Sequence, residues 1–451
     1  MLICYIFGDM KITKINHKLL KYIIIFFFIA ITFFLARKIK IGISPDELYH
    51  FYVSKAFSTT LTIPENTPDT FVYQDITKIS YLYFWINGRV LNLNIFNIDE
   101  LLLLRIVSIF YSVFTLVFTY LLSREVIKKK GLQIIPVILL SNTLMFVFLS
   151  GMVNYDNLLN LFAVLSIFAL VKLFKNPKKL KFLYLWIVFV SLGTLTKFTM
   201  LPLTFIEFLI IGYLIFKKRI KLDFKTKKNI IFLALALITT IPPIFLYGSN
   251  IIQYGTLTPS CDQIMKVEQC LVSPLFRRNY NMTDNLDLVS LGGIKEAIIT
   301  RLSPLEYFFR WIFLMAQRVY GIMGHRALYL PSFFYSVYVL IAFLFVFSLI
   351  KNWEKVKALD TILLIILGFY TMILAFVQNY VTYLETGLLD LALQGRYIFP
   401  VMSIYYALLI RNFEFILNKK LARLFLILLL IVFVIGCFPP FLLKINQDWL
   451  S

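Results

Sequence analysis

Long apolar blocks separated by short polar seams dominate the chain. Runs such as 22–36 (YIIIFFFIAITFFLA) and 230–247 (IIFLALALITTIPPIFLY) approach the roughly 20 residues an α-helix needs to cross a hydrocarbon core. None alternates apolar and polar positions with the period of two that marks a barrel strand. In lipid, only helices or closed barrels satisfy every backbone N–H and C=O. The pattern therefore predicts an all-α fold, a polytopic transmembrane helical bundle of about 11 spans. They fall near 20–36, 101–122, 132–150, 157–173, 182–194, 198–216, 229–247, 331–350, 359–378, 397–411 and 421–438. Residues 307–320 fit either a further span or a re-entrant piece. No repeat or linker interrupts the pattern, so 1–451 reads as a single integral membrane domain with two long loops, 37–100 and 248–330.

Composition supports this pattern: 60% of residues are hydrophobic and 15% charged, against about 25% charged in a soluble domain. The net charge of +21 raises the question of nucleic acid. Its placement answers it. More than half of the 45 lysines and arginines sit in six short loops, 11–21, 124–130, 172–181, 217–228, 351–357 and 411–420, while most of the 24 acids lie in the alternate, longer loops. Basic residues in alternate short loops orient a membrane protein with those loops inside, where anionic lipid attracts them. The expected location is the cell membrane, multi-pass, with the N-terminus cytoplasmic, the C-terminus outside and no nucleic-acid partner. No small-residue cleavage site follows the first run, which reads as a retained anchor. Met10 is a candidate start that would leave 1–9 as an extension. Cys4 and Cys437 stand alone. Cys261 and Cys270 share one outer loop, where an oxidising compartment permits a disulfide and two free thiols are the alternative.

Candidate chemistry gathers at the outer ends of the spans. In SPDELYHF (44–51), Ser44, Pro45 and Glu47 read as N-cap, first helical residue and capping-box partner. The helix they open is amphipathic and suited to the interface after span one, with Leu48, Phe51 and Tyr52 on its apolar side. Glu47 then has a structural explanation, whereas Asp46 has only a weak one in the helix dipole. Asp156 in NYDN (154–157) is either the cap of span four or a group facing a cavity. Lys197 lies where outside lysines are disfavoured, so it either snorkels or contacts an anion. Arg396, with Tyr397 beside it in LQGRYIF (393–399), offers the planar fork that grips phosphate. His325 and Arg326 stand between two glycines and a proline. Intramembrane charge is sparse, essentially Glu207, a proton-relay candidate or a partner within the bundle.

These stretches, SPDELYHF, NYDNLLNLF, LGTLTKFTML and LQGRYIFPVM, resemble the GT-C superfamily of polytopic glycosyltransferases over about residues 20–411. The resemblance is to the group of protein O-mannosyltransferases and lipid A aminoarabinose transferases, and to a prokaryotic membrane family with a P-D-E-x-x-H-F signature. The tryptophan-rich W-W-D motif of oligosaccharyltransferases is missing, which argues against transfer of a whole glycan to asparagine. The resemblance implies transfer of a sugar from a polyprenyl-phosphate-linked donor to an acceptor hydroxyl outside the cell, in envelope or surface-glycan synthesis. Asp46 is then the catalytic base, with Glu47 orienting the acceptor or helping to hold a metal. Lys197 and Arg396 take the phosphate, and His50, Asp156, His325, Arg326 and Tyr397 line the substrate. Some such enzymes use Mg²⁺ or Mn²⁺ and others none, so the metal stays open, as does the acceptor. Two other readings remain: a flippase or transporter of a polyprenyl-linked glycan, and a non-catalytic partner in envelope assembly. Membrane lipid is a partner in every case.

Overall fold

The computed structural model describes residues 17–220, 227–282, 296, 298–391, 393–416 and 419–451; Met10 and Cys4 lie outside them. The described residues are helical almost throughout, with one two-stranded hairpin, Ile322–Met323 paired with Ala327–Leu328. Among the described residues, eight helices are long and apolar enough to cross a membrane: Leu19–Lys38, Glu100–Val126, Asp156–Lys175, Phe198–Phe216, Ile230–Tyr254, Ser332–Lys351, Ala358–Thr386 and Leu424–Lys444. This is a multi-pass membrane protein. All eleven expected segments contain helix, yet three depart from a straight span. Lys130–Leu140 and Leu144–Ser150 meet at a bend of 69°. There Asn142 Nδ2 donates to the Ile138 carbonyl at 2.8 Å and competes with the helical ladder. Lys181–Thr196 is a shorter helix, and the segment at 397–411 starts as a tight 3₁₀ turn before Phe399–Ile416. The stretch at 307–320 forms a separate helix, Pro304–Tyr320, opened by Ser303 and Pro304.

Asp156–Lys175 is the central helix, packed on Glu100–Val126, Lys181–Thr196, Leu201–Phe216 and Phe399–Ile416. Small hydroxyls join the layers, as in Thr119 with Ser403 and Thr143 with Tyr406, both at 2.7 Å. Glu207 is fully buried and accepts from Trp186 Nε1 at 2.8 Å and Ser166 Oγ at 3.2 Å, so it is a partner within the bundle. Buried charge is not confined to it. Arg105 and Arg318 are also enclosed, and Arg411 lies 3.9 Å from Asp360.

The first long loop folds back onto the bundle through helices Glu47–Ser58 and Leu82–Asn92, which pack on each other. The helix starts at Glu47 and not after Ser44. Asp46 occupies the N-cap position in left-handed backbone (φ 56°, ψ 14°), with no capping bond from its side chain. The buried side carries Glu47, His50, Phe51, Val53, Ser54 and Phe57, while Leu48 and Tyr52 remain exposed. The capping box is replaced by a different anchor. Glu47 Oε1 and Oε2 accept from Arg105 Nε and Nη2, both at 2.8 Å, and Oε1 also accepts from the Val153 N–H at 2.9 Å. Arg105 Nη1 donates to the carbonyls of Ala36 and Ile39. One ion pair thus joins the end of the first span, the loop, the second span and the approach to the central helix.

The second long loop carries the Cys261–Cys270 disulfide and packs on Phe71–Tyr73 of the first. Asn250 Nδ2 donates to the Lys78 carbonyl, which ties the two loops together near the end of Lys227–Tyr254.

Glu47→Gln is expected to destabilise the protein by about 3–5 kcal/mol, because it leaves a buried arginine without its counter-charge. A melting temperature in detergent equal to that of the parent would show that this pair is not the anchor.

Candidate functional site

The connection before the central helix, the turn after Lys181–Thr196, the Asp46 loop and the 3₁₀ turn Gly395–Ile398 converge at one end of the bundle. Each contributes one charge. Arg396 Nη2 is paired with Asp46 Oδ2, and Nη1 donates to the Pro45 carbonyl at 3.2 Å. The third edge of the guanidinium, Nε, lies 3.2 Å from Asp156 Oδ2, close enough to attract but not aligned as a hydrogen bond. The other Asp156 oxygen, Oδ1, accepts from Lys197 Nζ at 2.6 Å. The result is a chain of alternating sign: Asp46, Arg396, Asp156, Lys197. Arg396, Asp156 and Lys197 are buried, whereas the Asp46 side chain keeps 40% of its exposure.

Local structure explains these positions. A Cβ on Gly395 would lie 2.1 Å from the Arg318 carbonyl, so glycine lets the turn press against Pro304–Tyr320 and aim Arg396 inward. Asp156 does not cap its helix; Asn154 Oδ1 accepts from the Asp156 N–H at 2.9 Å, and Asn154 Nδ2 donates to the Pro45 carbonyl. The Asp156 carboxylate is free for the two cations. Lys197 does not snorkel. Its ammonium sits 4.2 Å from the ring centre of Tyr155 and 4.3 Å from that of Tyr397, in cation–π contact with both. Asp46 holds a left-handed φ, which glycine, asparagine and aspartate adopt more readily than other residues. Burial opposes ionisation of Asp46, but Arg396 overrides it and, with smaller help from His50 and His325, holds the carboxyl well below the usual range.

His50 lies beneath this chain in an aromatic box, with ring centres 4.2 Å from Tyr155 and 5.9 Å from Phe84. Neither imidazole nitrogen has a hydrogen-bond partner. Burial pushes its pKa down to about 3; Asp46 opposes the shift, and Arg396 and Lys197 add to it. The ring is a neutral wall and not a proton donor at neutral pH. His325 is exposed at the tip of the 322–328 hairpin, near Asp46. Arg326 makes no ion pair with the cluster and lines a different cavity.

Six expected residues therefore meet: Asp46, His50, Asp156, Lys197, Arg396 and Tyr397. Glu47 does not join them. Its carboxylate is fully enclosed and committed to Arg105, so it cannot orient an acceptor or share a metal with Asp46. Among the described residues, no three His, Cys, Asp or Glu side chains converge on a cation position. Sequence reasoning missed Arg105 and Tyr155. An arginine at the start of an apolar run, LLLLRIVSIF, was the available signal for the first. Tyr155 gave none, since its role depends on the distant Lys197.

An apolar cavity of about 640 Å³ is lined by Leu61, Ile63, Trp85, Leu195, Ile238 and Pro242, among others. Leu192 and Leu195 of the helix Lys181–Thr196 contribute to its lining.

Residues 80–245 match the family model described as dolichyl-phosphate-mannose-protein mannosyltransferase. No curated protein sequence matches the chain. Among solved structures, the oligosaccharyltransferase of Archaeoglobus fulgidus in its apo form aligns with a TM-score of 0.54 at 13% identity, over 96% of this chain and 56% of that one. Its complex with zinc and sulfate aligns at 0.51 and 15% identity, over 92% and 52%. ArnT from Cupriavidus metallidurans in the apo state gives 0.48 at 10% identity, over 89% and 60%. The chain spans little more than half the length of these neighbours. Identities this low speak to the fold alone, a polytopic helical bundle shared with the Archaeoglobus fulgidus oligosaccharyltransferase.

Proposed function

We propose that the protein is a membrane glycosyltransferase that moves a sugar from a polyprenyl-phosphate donor to an acceptor hydroxyl at the non-cytoplasmic face. The observation that carries this is the half-exposed Asp46 carboxylate set against the buried cations Arg396 and Lys197. The matched family model supports it, because residues 80–245 include Asp156 and Lys197. The apolar cavity lined in part by Leu192 and Leu195, on the helix that precedes Lys197, suits a polyprenyl tail. The short basic loops support an orientation with the N-terminus inside and the Asp46 end of the bundle outside. The whole chain acts as one membrane domain.

In the proposed reaction the acceptor oxygen attacks the anomeric carbon as its proton passes to Asp46. The bond from that carbon to the phosphate oxygen breaks, and its electron pair leaves on the phosphate. Arg396 and Lys197 stabilise the charge that accumulates there. The leaving group is a stable anion, so no general acid is needed. Asp156 holds both cations in place and leaves part of each free for the phosphate. Without donor, Arg396 is occupied by Asp46 and depresses its basicity. A phosphate arriving on Arg396 competes for that guanidinium and releases Asp46, raising its pKa as the proton must be taken. The ion pair is then a resting state that the donor opens.

The polar chain stays at one end of the bundle, which favours an enzyme over a translocation path. Labelled polyprenyl-phosphate sugars, assayed over several donors and acceptors, test the proposal directly. Asp46→Asn is expected to lower transfer by about 10²–10⁴-fold, the usual contribution of a general base, with donor binding retained; unchanged transfer would reject the assignment. Arg396→Lys keeps the charge but loses the fork, and transfer should fall by about tenfold or more. For pH, the acid limb of kcat/KM reports free Asp46 and should lie below about 3.9, the ordinary aspartate value. The acid limb of kcat, which reports the donor complex, should lie at higher pH; coincident limbs would contradict the release of Asp46 by donor.

A further inference from the structure

The hairpin that carries His325 and Arg326 forms one wall of a second cavity, of about 280 Å³. Arg326 and Tyr329 line one side; Lys444, Asn446 and Trp449 line the other. Both walls are fastened to the segment that leads into Asp46. A Cβ on Gly324 at the hairpin turn would lie 2.7 Å from the Ile43 carbonyl and 2.9 Å from Pro45, so the turn rests on the residues just before Asp46. Opposite, Leu450 bridges to Ile39, the Lys40 N–H donates to the Trp449 carbonyl at 2.9 Å, and the Ser451 N–H donates to Lys38 at 2.8 Å.

The charge in this cavity is unbalanced. Among the described residues no carboxylate lies within ion-pairing distance of Arg326 or Lys444, and Lys444 Nζ has only the Tyr329 carbonyl, at 3.3 Å. Asp448, the nearby acid in sequence, is turned to Asn446 Nδ2 at 3.2 Å. The buried cations of the Asp46 cluster all have acidic partners, so these two differ in kind. Two unpaired cations on facing walls of a concavity, one of them a planar fork, are suited to an anion with several oxygens. Tyr329, which is exposed, gives the cavity a flat side against which a sugar or glycerol unit can lie. Its volume limits the occupant to one such unit with its phosphate.

We infer that this cavity is a phosphoryl-binding site, separate from Arg396 and Lys197, beside the hydroxyl that Asp46 would deprotonate. The inference rests on the proposed transferase reading and narrows the acceptor to a phosphate-bearing molecule; a phospholipid headgroup has the same chemistry and is distinguished below. Arg326 and Lys444 would hold the phosphate while the neighbouring hydroxyl reaches past His325 to Asp46.

The test uses binding, so it does not depend on transfer. The full chain in phosphatidylcholine nanodiscs is titrated with glycerol 3-phosphate by calorimetry. In a second arm, nanodiscs containing phosphatidylglycerol are examined by native mass spectrometry for retained lipid. Saturable binding in the first arm assigns the site to a phosphate carried by a soluble or polymeric acceptor; retention in the second arm alone assigns it to a headgroup, and either supports a phosphoryl site. The double variant Arg326→Gln/Lys444→Gln should weaken whichever binding is seen by at least about tenfold, the loss of a charge-assisted bond. Both side chains are exposed, so the variant should fold, as checked by its melting temperature. Arg326→Lys should recover part of the binding, and Asp46→Asn should leave it intact. Binding by the double variant equal to the parent, or no binding of either probe to the parent, would overturn the inference. Neither result would touch transfer through Asp46, so the two proposals fail separately.

Discussion

A guanidinium in a low-dielectric interior must find an acceptor for nearly every N–H it carries, and Arg105 shows how much structure that demand can organise. Two of its bonds go to Glu47 and two to carbonyls at the end of the first span. Glu47 passes the constraint on to Val153, just before the central helix. The loop that bears Asp46 is therefore registered against three parts of the bundle before any substrate contact is considered. The interior charge is tolerated because its hydrogen bonds are shared among segments that must not move relative to one another.

Two neighbouring acids meet opposite fates as a result. Glu47 faces inward onto Arg105, and Asp46 faces the solvent edge onto Arg396. Helical geometry places consecutive side chains about 100° apart, so adjacent residues do not share a face. The left-handed turn at Asp46 increases the separation. One acid is spent on position and the other keeps an exposed edge. The same division of labour recurs at 154–156, where Asn154 holds the backbone and Asp156 holds the cations.

Much of the architecture was legible in the chain because apolar length is a one-dimensional property. The helices at 20–36, 157–173 and 331–350 could be read from residue type alone. The bend at 141–143 could not, because it depends on how Asn142 and its neighbours compete for backbone carbonyls. Site residues were legible when their presence was costly: Asp46, Asp156, Lys197 and Arg396 are charges at places that disfavour them. Glu47 was misjudged for the converse reason. Its sequence position fitted a capping box, and only the fold brings Arg105 within reach, 58 residues away. The facing of Lys444 toward Arg326 was equally hidden, since each is an ordinary cation until the hairpin and the 438–450 segment meet.

The left-handed backbone at Asp46 has a consequence for how this position can vary. With the proposed role, the position makes two demands that no other amino acid meets together: a carboxylate, and a side chain short enough to tolerate positive φ. Asparagine keeps the shape and loses the charge; glutamate keeps the charge and moves it outward by a methylene on a backbone it resists. Retuning the carboxylate proposed as the base therefore means rebuilding the turn along with it.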